Sequence, residues 1–425
     1  MGPSNVRLQI MLFGNGERYP LLVDGSGMPL WYPTLFATTQ LRNASKAPNT
    51  ITAALAAIRS LLAWAVASGI DLEDRLVQGI YLRDFEIESF RAYSESPWPN
   101  STHARERAEF GVPKSTERFR GQIGKNLRRV APGTHYNRMT YAADYLEWLA
   151  KRLVERDVRK IDAKAIEDIK QMSIAIKIRR PVKSGASLLS ARRGLDAGAH
   201  ELLLRVIKRE SSSNPFEKEV RARNEVIVRL LYEFGMRAGE LLSLKISDFD
   251  FLENTVLIPR RHDDIEDPRK NQPVAKTLDR RLPMSHEIAN LVRSYVLGDR
   301  HALHDAKRHP FLLVVHQKGP FCGLPLTSKG LAKVFQVIKS VDPIALGSLS
   351  PHVLRHTVND RLSAKFDKEV IRAADEEKMR SYLMGWREGS GTAAIYTRRH
   401  VERKAQEAML SLQKSKTSKH EERDA

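Results

Sequence analysis

A chain of 425 residues, 42% of them hydrophobic, is long enough for two domains with sizeable cores and too apolar for a disordered polypeptide. Its net charge of +19 favours a polyanionic partner, either nucleic acid or an anionic membrane surface, over a merely basic soluble protein. The single cysteine, Cys322, excludes an internal disulfide framework and a cysteine-based zinc site.

No run approaches the roughly 18 apolar residues of a membrane span. The apolar LQIMLF segment near the N-terminus is too short for a secretory signal. The expectation is a cytoplasmic, nucleoid-associated protein.

Residues 7–33 alternate apolar and polar side chains around Asn15-Gly16 and Asp24-Gly25, which predicts short strands joined by tight turns. Over 47–69, Ile51, Leu55, Ile58 and Leu62 fall at helical spacing. Asn49 or Thr50 is the expected cap and Gly69 the stop. Trp64 lies on or beside that stripe and reads as core. Residues 72–94 continue as helix.

The composition then shifts. Residues 95–133 hold Pro97, Pro99, Pro113 and Pro132, and a basic run of Arg105, Arg107, Lys114, Arg118, Arg120, Lys125, Arg128 and Arg129. This predicts a long basic insertion. It is either a solvated surface loop or a contact to the DNA backbone, where cations release counterions from phosphates.

Residues 134–156 predict a helix capped by Thr134. Tyr141, Tyr145, Trp148, Leu149 and Leu153 form its apolar face, as core rather than as a base-stacking platform. A shorter helix is expected over 161–172. The stretch 177–194 then carries Pro181, Gly185, serines and cations, among them Arg179, Arg180 and Lys183. It reads as a basic linker and a candidate DNA contact. The expected organisation is an N-terminal domain over 1–180, a linker over 181–194, a second domain over 195–412 and a charged tail over 413–425.

Within the second domain, helices are expected over 195–210, 217–235 and 238–245. NTVLIP and RRLPM should form a hairpin with a long polar connection. A helix over 285–297 and a buried strand at 311–315 (FLLVV) follow, then helices near 327–339, 353–364 and 376–384.

Three stretches carry candidate chemistry. Arg237 follows Gly235 at a helix end, with Glu240 three residues on. The pair is either a structural ion pair or a guanidinium oriented toward a phosphate. His352 and Arg355 share one face of a helix that opens after Ser350-Pro351, where anions are favoured. Tyr396 sits in AAIYTRRH. A tyrosine hydroxyl, with an ordinary pKa near 10, becomes a nucleophile only where cations or a base assist it. Each motif alone is common.

In combination and order, GMRAGELLSLKISDFD, the VAKTLDRRLPM hairpin, PHVLRHT and LMGW…AAIYT resemble the tyrosine recombinase (phage integrase) family over most of 200–400. NTITAALAAIRSLLAWAVASGID resembles the family's core-binding domain in outline. The resemblance implies a mainly α protein with a small β-sheet (α+β). A helical core-binding domain and a mixed α/β catalytic domain would form a clamp around DNA. It implies that Tyr396 attacks the scissile phosphate to leave a 3′-phosphotyrosyl link, that Arg237 and Arg355 hold the non-bridging oxygens, and that His352 hydrogen bonds or transfers protons. Lys276, with Lys270 as the alternative, would protonate the leaving 5′-oxygen.

Trp386 stands where many members carry histidine and others tryptophan. An indole donates one hydrogen bond but cannot shuttle a proton, so its implied role is phosphate contact and packing. No metal and no cofactor is implied. The implied partners are double-stranded DNA with specific recombination sites and further copies of the chain, as a tetramer on two duplexes. Accessory DNA-bending or directionality proteins also fit. The implied function is a site-specific recombinase or integrase of a mobile genetic element. A topoisomerase-like or hairpin-forming resolvase, or a catalytically silent DNA-binding protein, is the alternative.

Overall fold

The computed structural model describes residues 6–97, 129–155, 163–182, 194–275, 277–369, 371–389, 405–406 and 408–413. The chain divides into two compact units. Unit 1 comprises Met1–Phe13 and Arg18–Leu189; unit 2 comprises Gly14–Glu17 and Ser190–Ala425.

Unit 1 starts with an antiparallel pair, β1 (Arg7–Leu12) and β2 (Arg18–Val23), in the register Arg7↔Val23 to Leu12↔Arg18. The Asp24-Gly25 turn does not lead into another strand as expected. The Asp24 carboxylate accepts from the backbone N–H groups of Ser26 (2.8 Å) and Met28 (3.0 Å), and α1 (Trp31–Phe36) follows.

Helix α2 (Pro48–Ala67) then crosses the core. Its N-cap is Ala47 with Pro48 at the first turn, not Asn49 or Thr50. Proline is pre-set for that position, where the missing N–H has no intrahelical partner to lose. By length and composition α2 is apolar enough to cross a membrane, a test that buried core helices also pass. Its apolar face is that of a core helix: Ile51, Ala54, Leu55, Ile58, Leu61 and Trp64 are all buried.

The helix expected over 72–94 is two helices, α3 (Leu72–Val77) and α4 (Asp84–Ser94). Gly79, with φ +73°, interrupts them. Helices α5 (Pro132–Val154) and α6 (Ala163–Ile178) complete the unit. Pro132, rather than Thr134, opens α5, and Tyr145 is buried among Phe36 and Trp148 as the core reading expected.

Residues 98–128, most of the basic insertion, lie outside the described residues. Its flanks are joined. The Val130 N–H donates to the Glu95 carbonyl (2.9 Å), and Arg138 Nη1 donates to the carbonyls of Ser94 and Ser96 (2.7 Å each).

Unit 2 has its own core, built from α7 (Ala197–Val206), α8 (Lys218–Phe234), α10 (His286–Tyr295), α11 (Ser328–Val341) and α12 (Pro351–Lys368). The short α9 (Ala238–Ser243) and α13 (Ala373–Met384) flank it. Asp196, Ser285, Thr327 and Ser350 cap the starts of α7, α10, α11 and α12 by accepting a backbone N–H. The sheet has three strands in the order β3 (Phe249–Asp250), β4 (Thr255–Ile258) and β5 (Arg280–Pro283), all antiparallel.

FLLVV is buried as its pattern predicts, but it adds no strand. Phe311 and Val314 make isolated bridges to Lys245 and Pro325, and the Leu312 N–H donates to the Leu244 carbonyl (2.8 Å). An apolar run reports burial; pairing depends on which backbone lies beside it.

Candidate active site

Two helices of unit 2 end in the same way. Helix α8 stops at Gly235 (φ +58°) and α13 at Gly385 (φ +65°), both in the left-handed conformation that glycine adopts without strain. Arg237 follows the first stop and Trp386 the second. Arg355, on α12, joins them. Its Nη1 donates to the Gly235 carbonyl and its Nη2 to the Met384 carbonyl, each at 2.7 Å. Its guanidinium also lies over the Trp386 ring, 5.2 Å from the centroid. A buried cation thus satisfies the carbonyls that two helix ends leave without intrahelical partners.

Pro351 and the Ser350 cap start α12 early enough to place His352 in its first turn. His352 is exposed, and its ring meets the buried His356 edge to face at 4.4 Å. Arg355 is held further by the helix itself, since Asn359 Nδ2 donates to its carbonyl (2.9 Å).

The expected Arg237–Glu240 pair is present in a different form. Glu240 accepts from the backbone N–H of Arg237 (3.0 Å), while the Arg237 guanidinium lies 3.6 Å away with 37% of the side chain accessible. The main cation partner of Glu240 is Arg280 on β5, at 2.8 Å, with both side chains wholly buried. The Thr277 hydroxyl donates to the other carboxylate oxygen. Burial alone would push the Glu240 carboxyl up. Arg280, Thr277 and, more remotely, Arg355 outweigh it and hold the pKa below the ordinary carboxylate value.

Sequence reasoning missed Arg280 and Thr277. A signal for the first was available. In RRLP the burial alternates, with Arg280 and Leu282 inward, and an inward arginine requires a buried carboxylate.

The structure thus gathers Arg237, Glu240, Arg355 and Trp386 around one junction of helix ends, with His352 on the helix that supplies Arg355. Lys276 and Tyr396 lie outside the described residues; Lys270 is exposed. Arg105, Arg107, Arg118, Arg120, Lys125, Arg128 and Lys183 also lie outside them. Arg129 is described, exposed, and 3.6 Å from Glu95. Arg179 and Arg180 are engaged inside unit 1. Arg179 pairs with Asp84 (2.8 Å), and Arg180 lies over the Tyr136 ring (4.6 Å).

An exposed histidine and a partly accessible arginine, beside a second arginine braced from behind, suit a phosphodiester whose charge grows in the transition state. Residues 204–403 match the model of the phage integrase family, so this stretch of unit 2 is a domain of that family.

The chain is 26% identical to an integrase/recombinase of Sinorhizobium fredii over 171 residues, which cover 40% of this chain and 74% of that one. It is 29% identical to the tyrosine recombinase XerC of Bacillus subtilis over 136 residues, covering 32% of this chain and 38% of XerC. It is 28% identical to transposase A from transposon Tn554 of Staphylococcus aureus over 137 residues, covering 32% and 34%. The matched region therefore spans little more than a third of the latter two relatives.

Proposed function

We propose that this chain moves a mobile genetic element by cutting and rejoining DNA at specific sites through Tyr396. The Tyr396 oxygen bonds to the scissile phosphorus, the bond to the 5′-oxygen breaks, and a 3′-phosphotyrosyl link and a free 5′-hydroxyl result. The energy of the broken bond stays in the covalent link. Arg237 and Arg355 neutralise the non-bridging oxygens, and His352 either accepts the tyrosine proton or hydrogen bonds to the phosphate while that proton passes to solvent. Lys276 gives its proton to the leaving oxygen. Trp386 packs under Arg355 and donates a hydrogen bond.

The observation that carries this reading is the Arg355 bridge between the two helix ends, because it brings the Arg237 turn and the Trp386 turn to one place. Unit 1 serves as the core-binding domain and unit 2 as the catalytic domain, joined by 181–194 and acting together on the duplex in the bacterial nucleoid. Four copies act on two duplexes. The helical residues 408–413, with Met409, Leu410 and Leu412 exposed, offer an apolar face for a neighbouring copy.

A nicked duplex, selected from a random library by binding to the protein, tests the chemistry. Wild-type protein should be trapped as a covalent adduct, and Tyr396→Phe should form none. An adduct that survives Tyr396→Phe rejects the nucleophile assignment.

A further inference from the structure

The chain on either side of residue 276, over 272–275 and 277–283, is clasped by the site on both sides. On one side Gly239 of α9 lies so close that a Cβ there would stand 2.5 Å from the Val274 carbonyl oxygen. The Glu240 carboxylate, one residue further, takes the Thr277 hydroxyl and Arg280 Nη2, and it also takes the Arg237 backbone N–H. On the other side the Leu278 N–H donates to the Gly385 carbonyl (2.9 Å), and the Tyr382 hydroxyl donates to the Arg281 carbonyl (3.1 Å). A Cβ at Gly385 would stand 2.7 Å from Arg280 Nη1, 2.8 Å from the Leu278 carbonyl oxygen and 2.9 Å from Thr277 Cβ.

The side-chain anchors of the clasp, Thr277 and Arg280, are both buried and converge on one carboxylate. Neither residue is exposed to a substrate. What they share is the backbone they hold in register: the turn of Arg237, the cap of α13, and the chain on the C-terminal side of Lys276.

We propose that Thr277 and Arg280 are positioning residues for strand cleavage, which set the lysine-bearing segment against the Arg237 turn through Glu240 and against the end of α13 through Gly385. The proposal rests on the reading of Lys276 as the proton donor to the leaving 5′-oxygen. Thr277 is the covalent neighbour of that lysine, so a shift of its anchor moves the donor. A proton donor misplaced by about an ångström loses on the order of 100-fold in rate. The loss is confined to the step that needs the proton.

That step can be bypassed chemically. When the 5′-bridging oxygen of the scissile phosphate is replaced by sulfur, the leaving group is a thiolate, which departs without being protonated. Cleavage of the two duplexes by the full chain therefore separates a misplaced donor from a damaged phosphate grip.

Wild-type protein should form the adduct on both. Lys276→Ala should fail on the oxygen duplex and recover on the sulfur duplex. Thr277→Val, of nearly unchanged volume, and Arg280→Met should cleave the oxygen duplex about 10- to 100-fold more slowly and the sulfur duplex within a few-fold of wild type. Thr277→Ser, which keeps the hydroxyl, should restore the oxygen-duplex rate.

Equal losses on both duplexes, or wild-type rates of Thr277→Val on the oxygen duplex, would overturn the positioning role. If Arg280→Met does not fold, the Thr277 pair decides alone. Failure of the underlying reading shows separately, as a wild type without an adduct or a Lys276→Ala variant that sulfur does not rescue.

Discussion

The long connection between β4 and β5 is built in two halves that use the same charge chemistry to different ends. In 259–271, Arg261 pairs with Asp248 (2.5 Å) and Arg269 with the buried Asp267 (2.8 Å), while Lys245 binds Asp264 (2.8 Å) and Glu266 (2.5 Å). Arg269 also donates to the carbonyls of Leu242 (3.1 Å) and Leu326 (2.6 Å) and lies over the Phe311 ring. Asp264, Glu266 and Asp267 thus serve as counter-ions that hold the connection in place within unit 2. In 272–283 the ion pair is Glu240–Arg280, and its carboxylate also holds the backbone of Arg237. Counting charges does not separate the two halves. The backbone that each pair immobilises does.

Breaking one pair in the first half should therefore cost stability without costing chemistry. Arg269→Met leaves Asp267 buried without its cation, and the denaturant midpoint should drop by the equivalent of about 3–5 kcal/mol. Adduct formation per folded molecule should stay within a few-fold of wild type. A specific loss of cleavage in the remaining folded protein would erase the distinction between the halves.

The second half should behave in the opposite way. Gly385→Ala forces a β-carbon into the left-handed conformation and against Arg280 and Leu278, at a cost of about 1–2 kcal/mol from the backbone alone. Its cleavage rate should fall more than that loss of stability accounts for, because the clasp on Thr277 must open. Unfolding curves and single-turnover cleavage on one preparation compare the two effects.

The smallest effect sharpens the comparison from outside both halves. A third buried polar cluster joins Tyr295 to His316 (3.0 Å). Burial first, and then Arg223, hold the His316 pKa down at about 4, while burial raises that of the Tyr295 hydroxyl. Above pH 6.5 the imidazole is neutral in both states. As the pH falls toward 4 the unfolded chain takes a proton that the folded chain refuses. Stability is lost over that window, by at most about 1.4 kcal/mol per pH unit. His316→Gln should flatten this part of a melting-temperature profile and leave cleavage unchanged.

Much of unit 2 was legible because its signals are local. The α8 helix and its Gly235 stop, the Ser350-Pro351 start of α12 and the apolar runs all follow from spacing and capping residues that lie within a few positions of one another. The order of the boxes was equally plain, and it carried the family resemblance. Other features were not local. The break between α3 and α4, the Pro48 start of α2 and the loop-like burial of FLLVV each depended on what packs alongside. In unit 1, Arg179 and Arg180, read from sequence as a candidate DNA contact, have partners that the sequence did not show, Asp84 and the Tyr136 ring.

The sequence by itself singled out the side chains proposed here to meet a phosphate: the arginines, the histidine, the lysine and the tyrosine, in an order that resembles one family. It could not say what Glu240 is for. Its neighbour Arg237 was the obvious partner, three residues away, yet the carboxylate pairs with an arginine 40 residues on and leaves the nearer guanidinium partly accessible. That choice belongs to the tertiary structure. A buried charge settles on the partner that is buried with it, and burial is decided by the whole fold rather than by distance along the chain.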